Sequence, residues 1–174
     1  VVEALRELAT YPSATEAVVL TTCNRAEVYV ACENIDITRG DLGRFMSLFH
    51  GVPEPELEPH LYSHNSAEAV RHLCRVTAGL DSLVVGEPQI FGQVKEAYAI
   101  ATGEQSTGTV LNKLFPWSFA IAKHVRTATN LGEGAVSVSY AAISLAKKIF
   151  GNLKNLEVLV VGAGEMAELT ATHL

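Results

Sequence analysis

The pattern of apolar and polar residues first indicates a pair of short strands. Two runs rich in Val and Tyr, 18–20 and 28–30, flank the polar segment 21–25. Such runs are typical of β-strands. The polar segment is therefore expected to lie where two strands end, a place at which proteins often display functional side chains.

Much of the chain up to residue 132 has the periodicity of helices instead. Apolar residues recur there at intervals of three and four, and turn residues interrupt the pattern. The predicted helices cover residues 2–9, 41–50, 65–78, 88–102 and 109–129. We also expect a capping box of Asn65 and Glu68, an N-cap at Thr109 and a kink or break at Pro116. A short strand is predicted at 61–63.

The last part of the chain has a different pattern, which predicts the start of a second domain. A helix is expected from Ser137 to Ile149, and the bare apolar run 157–161 is typical of a strand buried in a parallel sheet. The six residues that follow read GxGxxA, the first half of a dinucleotide-binding fingerprint. We prefer this interpretation to a plain βα turn for Gly162, Ala163, Gly164, Glu165, Met166 and Ala167.

Composition narrows the class of protein. The 174 residues are 48% hydrophobic and 18% charged, a balance typical of soluble globular domains. No apolar run approaches the roughly 20 residues that span a bilayer, and the start shows no signal-like segment. The three cysteines form no CxxC pair, so we expect free thiols, a reducing cytoplasmic compartment and no metal site.

Charge is unevenly distributed along the chain. The formal net charge is −6, but residues 105–155 contain six basic residues and one acidic residue. An acidic chain argues against general binding of nucleic acids. A local basic region can still hold part of an RNA, although solvated helix faces explain the same pattern.

Cys23, Arg25 and His72 are the candidates for chemistry. A positive charge beside a cysteine favours the thiolate, which is the nucleophilic form. The alternative is a half-buried cysteine at a strand end, with Arg25 in solvent. His72 lies on a predicted helix, where a histidine is more often a structural hydrogen-bonding residue than a catalyst. His60 and His64 invite a metal interpretation, but Pro59 argues against one shared helical face.

Four segments of the chain resemble the glutamyl-tRNA reductase family. TTCNRAEVY is similar to the family's active-site segment, and GLDSLVVGEPQIFGQVKEAY (79–98) is similar to its second signature. AKHVRTATNLGEGAVSVSYAA and VLVVGAGEM continue the likeness in the family's order. The resemblance implies NADPH-dependent reduction of glutamyl-tRNA(Glu) to glutamate-1-semialdehyde through a cysteine thioester. That reaction is the first committed step of the C5 pathway to 5-aminolevulinate, porphyrins and other tetrapyrroles.

The resemblance also implies roles for individual residues. Cys23 matches the family nucleophile and His72 its important histidine, whose role as acid, base or orienting group stays open. The positions that match substrate-binding residues are Thr22, Cys23, Asn24, Arg25, Ser82, Glu87, Pro88, Gln89 and Gln93. The positions that match the NADPH loop are Gly162 to Ala167. Two departures are Ala26 and Ala128, where the family has threonine and glutamate; the first is expected to loosen the active-site loop.

The fold implied is an α+β catalytic domain, a small antiparallel sheet packed with helices, followed by the first β-α unit of a Rossmann-type α/β domain. We place the glutamyl-tRNA-binding domain at 1–134, lacking the family's first strand, and a linker helix with a truncated NADPH domain at 135–174. Such a fragment is expected to lack complete reductase activity. The implied partners are glutamyl-tRNA(Glu), a second subunit in a full-length homodimer and glutamate-1-semialdehyde aminomutase, with no membrane.

Two other functions are compatible with the same residues. One is a thiol-dependent acylating dehydrogenase that uses a small acyl ester. The other is a non-catalytic relative that binds tRNA or a pathway enzyme. The presence of Cys23, Arg25 and His72 argues against the second.

Overall fold

The computed structural model describes residues 1–132 and 138–174. Its sheet consists of β1 (Glu16–Thr21) and β2 (Ala26–Ala31), which pair antiparallel with Val18 opposite Tyr29. The two strands flank the polar turn, as predicted. Residues 17–20 of β1 are all buried, because helices cover this strand.

The helices provide most of the core. They are α1 (Val2–Leu8), α2 (Ile35–His50), α3 (Glu54–Leu57), α4 (Ser66–Ala78), α5 (Gln89–Gly103), α6 (Leu111–Thr129), α7 (Val138–Phe150) and α8 (Glu165–His173), with 3-10 turns at Glu58–His60 and Leu153–Asn155. Helices α1, α5 and α6 pack on β1, and α4 packs on α5 and α6. Their fully buried side chains include Leu5, Phe45, Leu73, Val94 and Phe115. The predicted α+β fold, a small antiparallel sheet packed with helices, is confirmed.

Helix α2 is longer than its apolar stripe predicted. It begins after Asn34, whose side chain accepts hydrogen bonds from the backbone N–H groups of Asp36 and Ile37. An asparagine in this position satisfies two of the free N–H groups of the first turn, so the helix extends over a segment with little apolar periodicity. It ends as predicted at Gly51, whose φ of 65° lies in the left-handed region.

Two predicted caps are wrong. Asn65 precedes α4 but makes no side-chain cap hydrogen bond, and Glu68 lies 3.9 Å from Arg71 instead. Thr109 does not cap α6. The carboxylate of Glu16 in β1 accepts hydrogen bonds from the N–H groups of residues 110 and 111, at 2.9 and 2.7 Å. A negative charge is also favourable at this end of a helix dipole.

Helix α6 is assigned as one continuous helix across Pro116, so the expected break is absent from this described segment. Residues 61–63 also differ from the prediction, because they lie in an exposed segment without regular structure. A strand requires a hydrogen-bonded neighbour, and the side chain of Tyr62 is bound to Glu27 instead.

The last segment contains helices but no strand among its described residues. Residues 157–161 are exposed, with Leu159 at 88% and Val161 at 89%, because no strand of the described chain pairs with them. Helix α7 confirms the predicted helix from Val138 onward, whereas its predicted start at Ser137 lies outside the described residues. Helix α8 begins directly after Gly164, as the glycine-rich motif predicted, and packs on α7. No helix in the described ranges combines the length and apolarity required to cross a membrane.

Candidate active site

The turn between β1 and β2 presents Cys23 to solvent. The N–H of Thr22 donates to the carbonyl of Arg25 at 2.8 Å. The hydroxyl of Thr22 in turn accepts from the N–H groups of Asn24 and Arg25, both at 3.1 Å. These three bonds define a compact turn. Within it, Cys23 is exposed and has a free thiol, so the thiol is sterically open to an electrophile.

Glu27, in β2, is the centre of a buried polar cluster. Its side chain is only 5% exposed. One carboxylate oxygen accepts from Arg25 Nη1 and lies 3.0 Å from His72 Nε2. The hydroxyl of Tyr62 donates to the same oxygen, and that of Tyr29 donates to the other. We call these five residues the Glu27 cluster.

The Glu27 cluster keeps its carboxylate ionised. Burial raises the pKa of Glu27, but the contacts with His72, Tyr29 and Tyr62 outweigh burial and lower it to about 2. Burial and the adjacent carboxylate both raise the pKa of Tyr29, so this phenol stays a hydrogen-bond donor. Glu27 is therefore a fixed negative charge surrounded by donors.

His72 lies between two carboxylates. Its Nε2 faces Glu27, and its Nδ1 lies 3.5 Å from Asp81. Asp81 is itself held by Arg75, with 2.6 Å from Nη2 to the nearer oxygen, and this hydrogen bond lowers the pKa of Asp81. Contacts at both ring nitrogens therefore fix the orientation of the imidazole.

Arg25 is oriented by the Glu27 cluster and is largely buried, so the alternative prediction that Arg25 lies in solvent is wrong. Its side chain is 11% exposed. Nη1 donates to Glu27, and Nη2 donates to the backbone carbonyl of Asp81. A guanidinium has five N–H donors, and these two contacts use two of them while the residue lines the cleft.

A cleft of about 680 Å³ opens beside these groups. This is within the usual size range of small-molecule sites. Its walls come from the turn after β1, from α2 and α3, from the segment 60–64 and from α4. The candidate residues among its lining are Asn24, Arg25 and His72.

Other candidate residues have different surroundings. Cys23 directly precedes the lining residue Asn24, and Thr22 supports the turn. The hydroxyl of Ser82 is buried, does not line the cleft and, in the described part of the chain, has no hydrogen-bond partner. Glu87, Pro88, Gln89 and Gln93 do not line the cleft; the carbonyl of Glu87 contacts Arg126 at 3.4 Å.

Sequence reasoning missed Glu27, Tyr29, Tyr62 and Asp81. A signal for the first two existed in the strand period. Arg25, Glu27 and Tyr29 are two residues apart, and such residues share one face of a strand. An acidic residue between an arginine and a tyrosine on one face indicates a polar cluster. No comparable local signal links Tyr62 or Asp81 to that face.

The glycine-rich loop forms a separate candidate site for an anionic group. Gly162 has a φ of 122°, which favours glycine, and apart from the adjacent residues no described residue has an atom within 4 Å of the Cβ position at Gly162 or Gly164. The loop leads into the N-terminus of α8, where free backbone N–H groups and the helix dipole attract phosphate. The loop therefore fits the pyrophosphate of a dinucleotide. In the described ranges, no group of three or more His, Cys, Asp or Glu side chains is placed to hold a metal ion.

Comparisons with known proteins give a consistent result. The family model described as "Glutamyl-tRNAGlu reductase, N-terminal domain" matches residues 1–129, and "Shikimate / quinate 5-dehydrogenase" matches residues 144–174. A glutamyl-tRNA reductase of Syntrophotalea carbinolica is 51% identical over 98% of the chain and 38% of the relative. One from Geobacter sulfurreducens is 49% identical over 97% of the chain and 39% of the relative.

A solved structure is also similar. The glutamyl-tRNA reductase from Methanopyrus kandleri matches with a TM-score of 0.70 and 35% identity, over 99% of this chain and 40% of that one. The chain therefore spans about two fifths of the length of the relatives it matches.

Proposed function

The chain belongs to the glutamyl-tRNA reductase family, and from this premise we propose that it carries the acyl-transfer site for reducing glutamyl-tRNA(Glu) to glutamate-1-semialdehyde. NADPH is the proposed reductant, and tetrapyrrole biosynthesis is the proposed pathway. The observation that carries the proposal is the grouping around one cleft. An exposed thiol lies on a defined turn, directly before the cleft residues Asn24 and Arg25. His72 lines the same cleft, and Glu27 orients both Arg25 and His72.

The first step assigned to this site is thioester formation. The thiolate of Cys23 attacks the ester carbonyl of the glutamyl group, the Sγ–C bond forms, and the ester C–O bond breaks. The ribose oxygen of the tRNA leaves and takes a proton. We propose His72 as the donor of that proton, because it lines the cleft and its ring is held in place by Glu27 and Asp81.

Arg25 is the proposed group that selects glutamate. A side-chain carboxylate can accept hydrogen bonds from two N–H groups of a guanidinium at once, and Arg25 retains donors beyond those used by Glu27 and Asp81. Thr22 and Asn24 define the turn, and Ser82, whose buried hydroxyl has no hydrogen-bond partner among the described residues, stays a proposed substrate-binding residue on the resemblance. Glu87, Pro88, Gln89 and Gln93 stay proposed substrate-binding residues on the resemblance alone.

Gly162 to Ala167 are the proposed holders of the NADPH pyrophosphate. Their open glycine backbone and the adjacent helix N-terminus support this role. When bound, the nicotinamide would supply the hydride that converts the acyl group to an aldehyde. The domain division at 134/135 stays a prediction. A cytoplasmic homodimer, and transfer of the product to the aminomutase, are further proposals that rest on the family alone.

Deacylation of glutamyl-tRNA by the 174-residue chain tests the proposed nucleophile. We expect slow release of glutamate without added cofactor, because water replaces hydride at the thioester. Cys23→Ser should lower the rate at least 100-fold, since a hydroxyl ionises far less readily than a thiol. Cys74→Ser is the matched control. Burial raises the pKa of the Cys74 thiol, and its loss should leave the rate within about twofold.

The alternatives give different results in the same assay. If Cys23→Ser retained the parent rate with an unchanged circular dichroism spectrum, the thiol mechanism would be wrong. If a small glutamyl ester reacted as fast as glutamyl-tRNA, the protein would be an acylating enzyme for small esters. Binding of tRNA without any deacylation by the folded parent chain would indicate a non-catalytic relative.

A further inference from the structure

We propose that the rings of Tyr62 and His64 form a stacking site for the terminal nucleobase of the RNA substrate. The inference rests on the proposed function and adds a subsite to it. Both residues line the cleft that also contains Arg25 and His72. They belong to the exposed segment between the 3-10 turn Glu58–His60 and α4.

Three ring side chains in this part of the cleft are in mutual contact. The centroids of the Tyr62 and His64 rings are 5.6 Å apart, and those of His64 and His72 are 4.7 Å apart. The distance between Tyr62 and His72 is 5.6 Å. The three rings therefore form one compact aromatic cluster that includes the candidate proton donor.

Tyr62 has a hydrogen-bonded hydroxyl and is otherwise largely exposed. Its hydroxyl donates to the buried carboxylate of Glu27, yet the residue is 56% exposed. His64 is also exposed. A tyrosine fixed through its hydroxyl loses little further freedom on binding, so its ring can present a preorganised apolar surface.

The chemistry of the substrate explains why a base would occupy this surface. Only one ribose separates the reacting ester from the terminal base of an acylated RNA, so the base must lie in or beside the cleft. Arg25 and His72 provide polar groups for the glutamyl end, whereas Tyr62 and His64 provide ring faces. Unpaired RNA ends are commonly recognised by stacking on Tyr and His rings.

A double-mutant cycle between protein and substrate tests the subsite. The two substrates are glutamyl-tRNA and the same RNA with its terminal base removed, and the readouts are the KM and kcat of deacylation. We expect His64→Ala to raise the KM for the complete substrate about tenfold, the range of one stacked base, with kcat within about twofold. His64→Phe keeps a ring and should restore most of the affinity.

The base-free substrate provides the decisive comparison. The parent protein should bind it about tenfold more weakly, and His64→Ala should cause no further loss. If His64→Ala raised the KM equally for both substrates, or for neither, the proposal would be overturned. His124→Ala, on the exposed face of α6, is the control and should leave KM unchanged.

Binding of an uncharged RNA oligonucleotide with a 3′ adenosine separates this inference from the proposed chemistry. Fluorescence anisotropy should show about tenfold weaker binding to His64→Ala, even if Cys23 proved not to be the nucleophile. Normal Cys23-dependent deacylation with an unchanged KM in both His64→Ala and Tyr62→Ala would refute the stacking site and leave the proposed function intact. Tyr62→Phe keeps the ring but removes the hydrogen bond to Glu27 that holds it in place, so it should bind the oligonucleotide more weakly than the parent protein and more tightly than Tyr62→Ala.

Discussion

Replacement of Glu27 by Gln tests how strongly the Glu27 cluster stabilises the fold. Glutamine has nearly the same shape as glutamate but lacks its charge. The variant therefore leaves Arg25 partly buried without its ion-pair partner. Removing one member of a buried ion pair is strongly destabilising, by about 3–5 kcal/mol.

The lowered pKa of Glu27 gives a second value for its contribution to the free energy of unfolding. A carboxyl pKa lowered from 4.5 to about 2 corresponds to on the order of 3 kcal/mol of folding free energy at neutral pH. We expect Glu27→Gln to lower the free energy of unfolding by about this amount. Urea denaturation at pH 7, followed by far-UV circular dichroism, measures it, and an unchanged m-value would show that the same surface unfolds.

Glu104→Gln is the matched control for charge removal. Glu104 pairs with Arg6 at 2.9 Å, but that arginine side chain is 71% exposed. Exposed pairs contribute about 0–1 kcal/mol, so this variant should differ little from the parent. A Glu27→Gln variant within about 0.5 kcal/mol of the parent would refute the claim that the cluster is a major source of stability.

The pH dependence of the stability follows from the direction in which the pKa of Glu27 is shifted. Because the folded pKa of Glu27 is below its unfolded value, its contribution is complete above about pH 4.5. It is lost as the pH falls from there towards 2. The parent protein should lose stability over this window more steeply than Glu27→Gln. Parallel pH profiles of the two proteins would contradict the assignment.

Two further predictions concern glycines and Arg25. Gly86→Ala should destabilise the fold by more than about 1 kcal/mol, because the residue has φ +86° and its Cβ would lie 3.0 Å from the N of Gly132. Gly92→Ala should stabilise the fold by up to about 1 kcal/mol, because Gly92 is inside α5 with open space around it. Urea denaturation of both variants checks the opposite signs, and the same sign for both would contradict the reasoning. Arg25→Lys should lower kcat/KM for glutamyl-tRNA at least tenfold and reduce the preference of the protein for glutamyl-tRNA over glutaminyl-tRNA, since lysine lacks the planar fork. Unchanged selectivity in deacylation assays would assign Arg25 a structural role instead.

Local patterns predicted the parts of the fold that depend on neighbouring residues. The hairpin around Cys23 follows from two β-type runs, and the buried face of α5 follows from Ile90, Val94 and Ala97 at helical spacing. These features depend on period and turn chemistry, which a single sequence contains. The placement of the polar turn at a strand junction follows from the same local signals.

Long-range contacts explain what the sequence could not predict. Glu27 meets His72 across 45 positions, and Glu16 caps α6 across 95. No local rule indicates such partners, so Arg25 was open to an interpretation as solvent-exposed. The run 157–161 shows that a clear local pattern is not sufficient without a long-range partner. Its β-type pattern is real, but a strand forms only where another strand pairs with it.

Mass spectrometry of the acylated protein tests the central claim most directly. The 174-residue chain is mixed with glutamyl-tRNA, quenched in acid to preserve thioesters, and digested. We predict one glutamyl group on the peptide that contains Cys23, absent from the Cys23→Ser variant and unchanged in Cys74→Ser. Deacylation that continues while Cys23 stays unmodified, or a glutamyl group on a different residue, would contradict it.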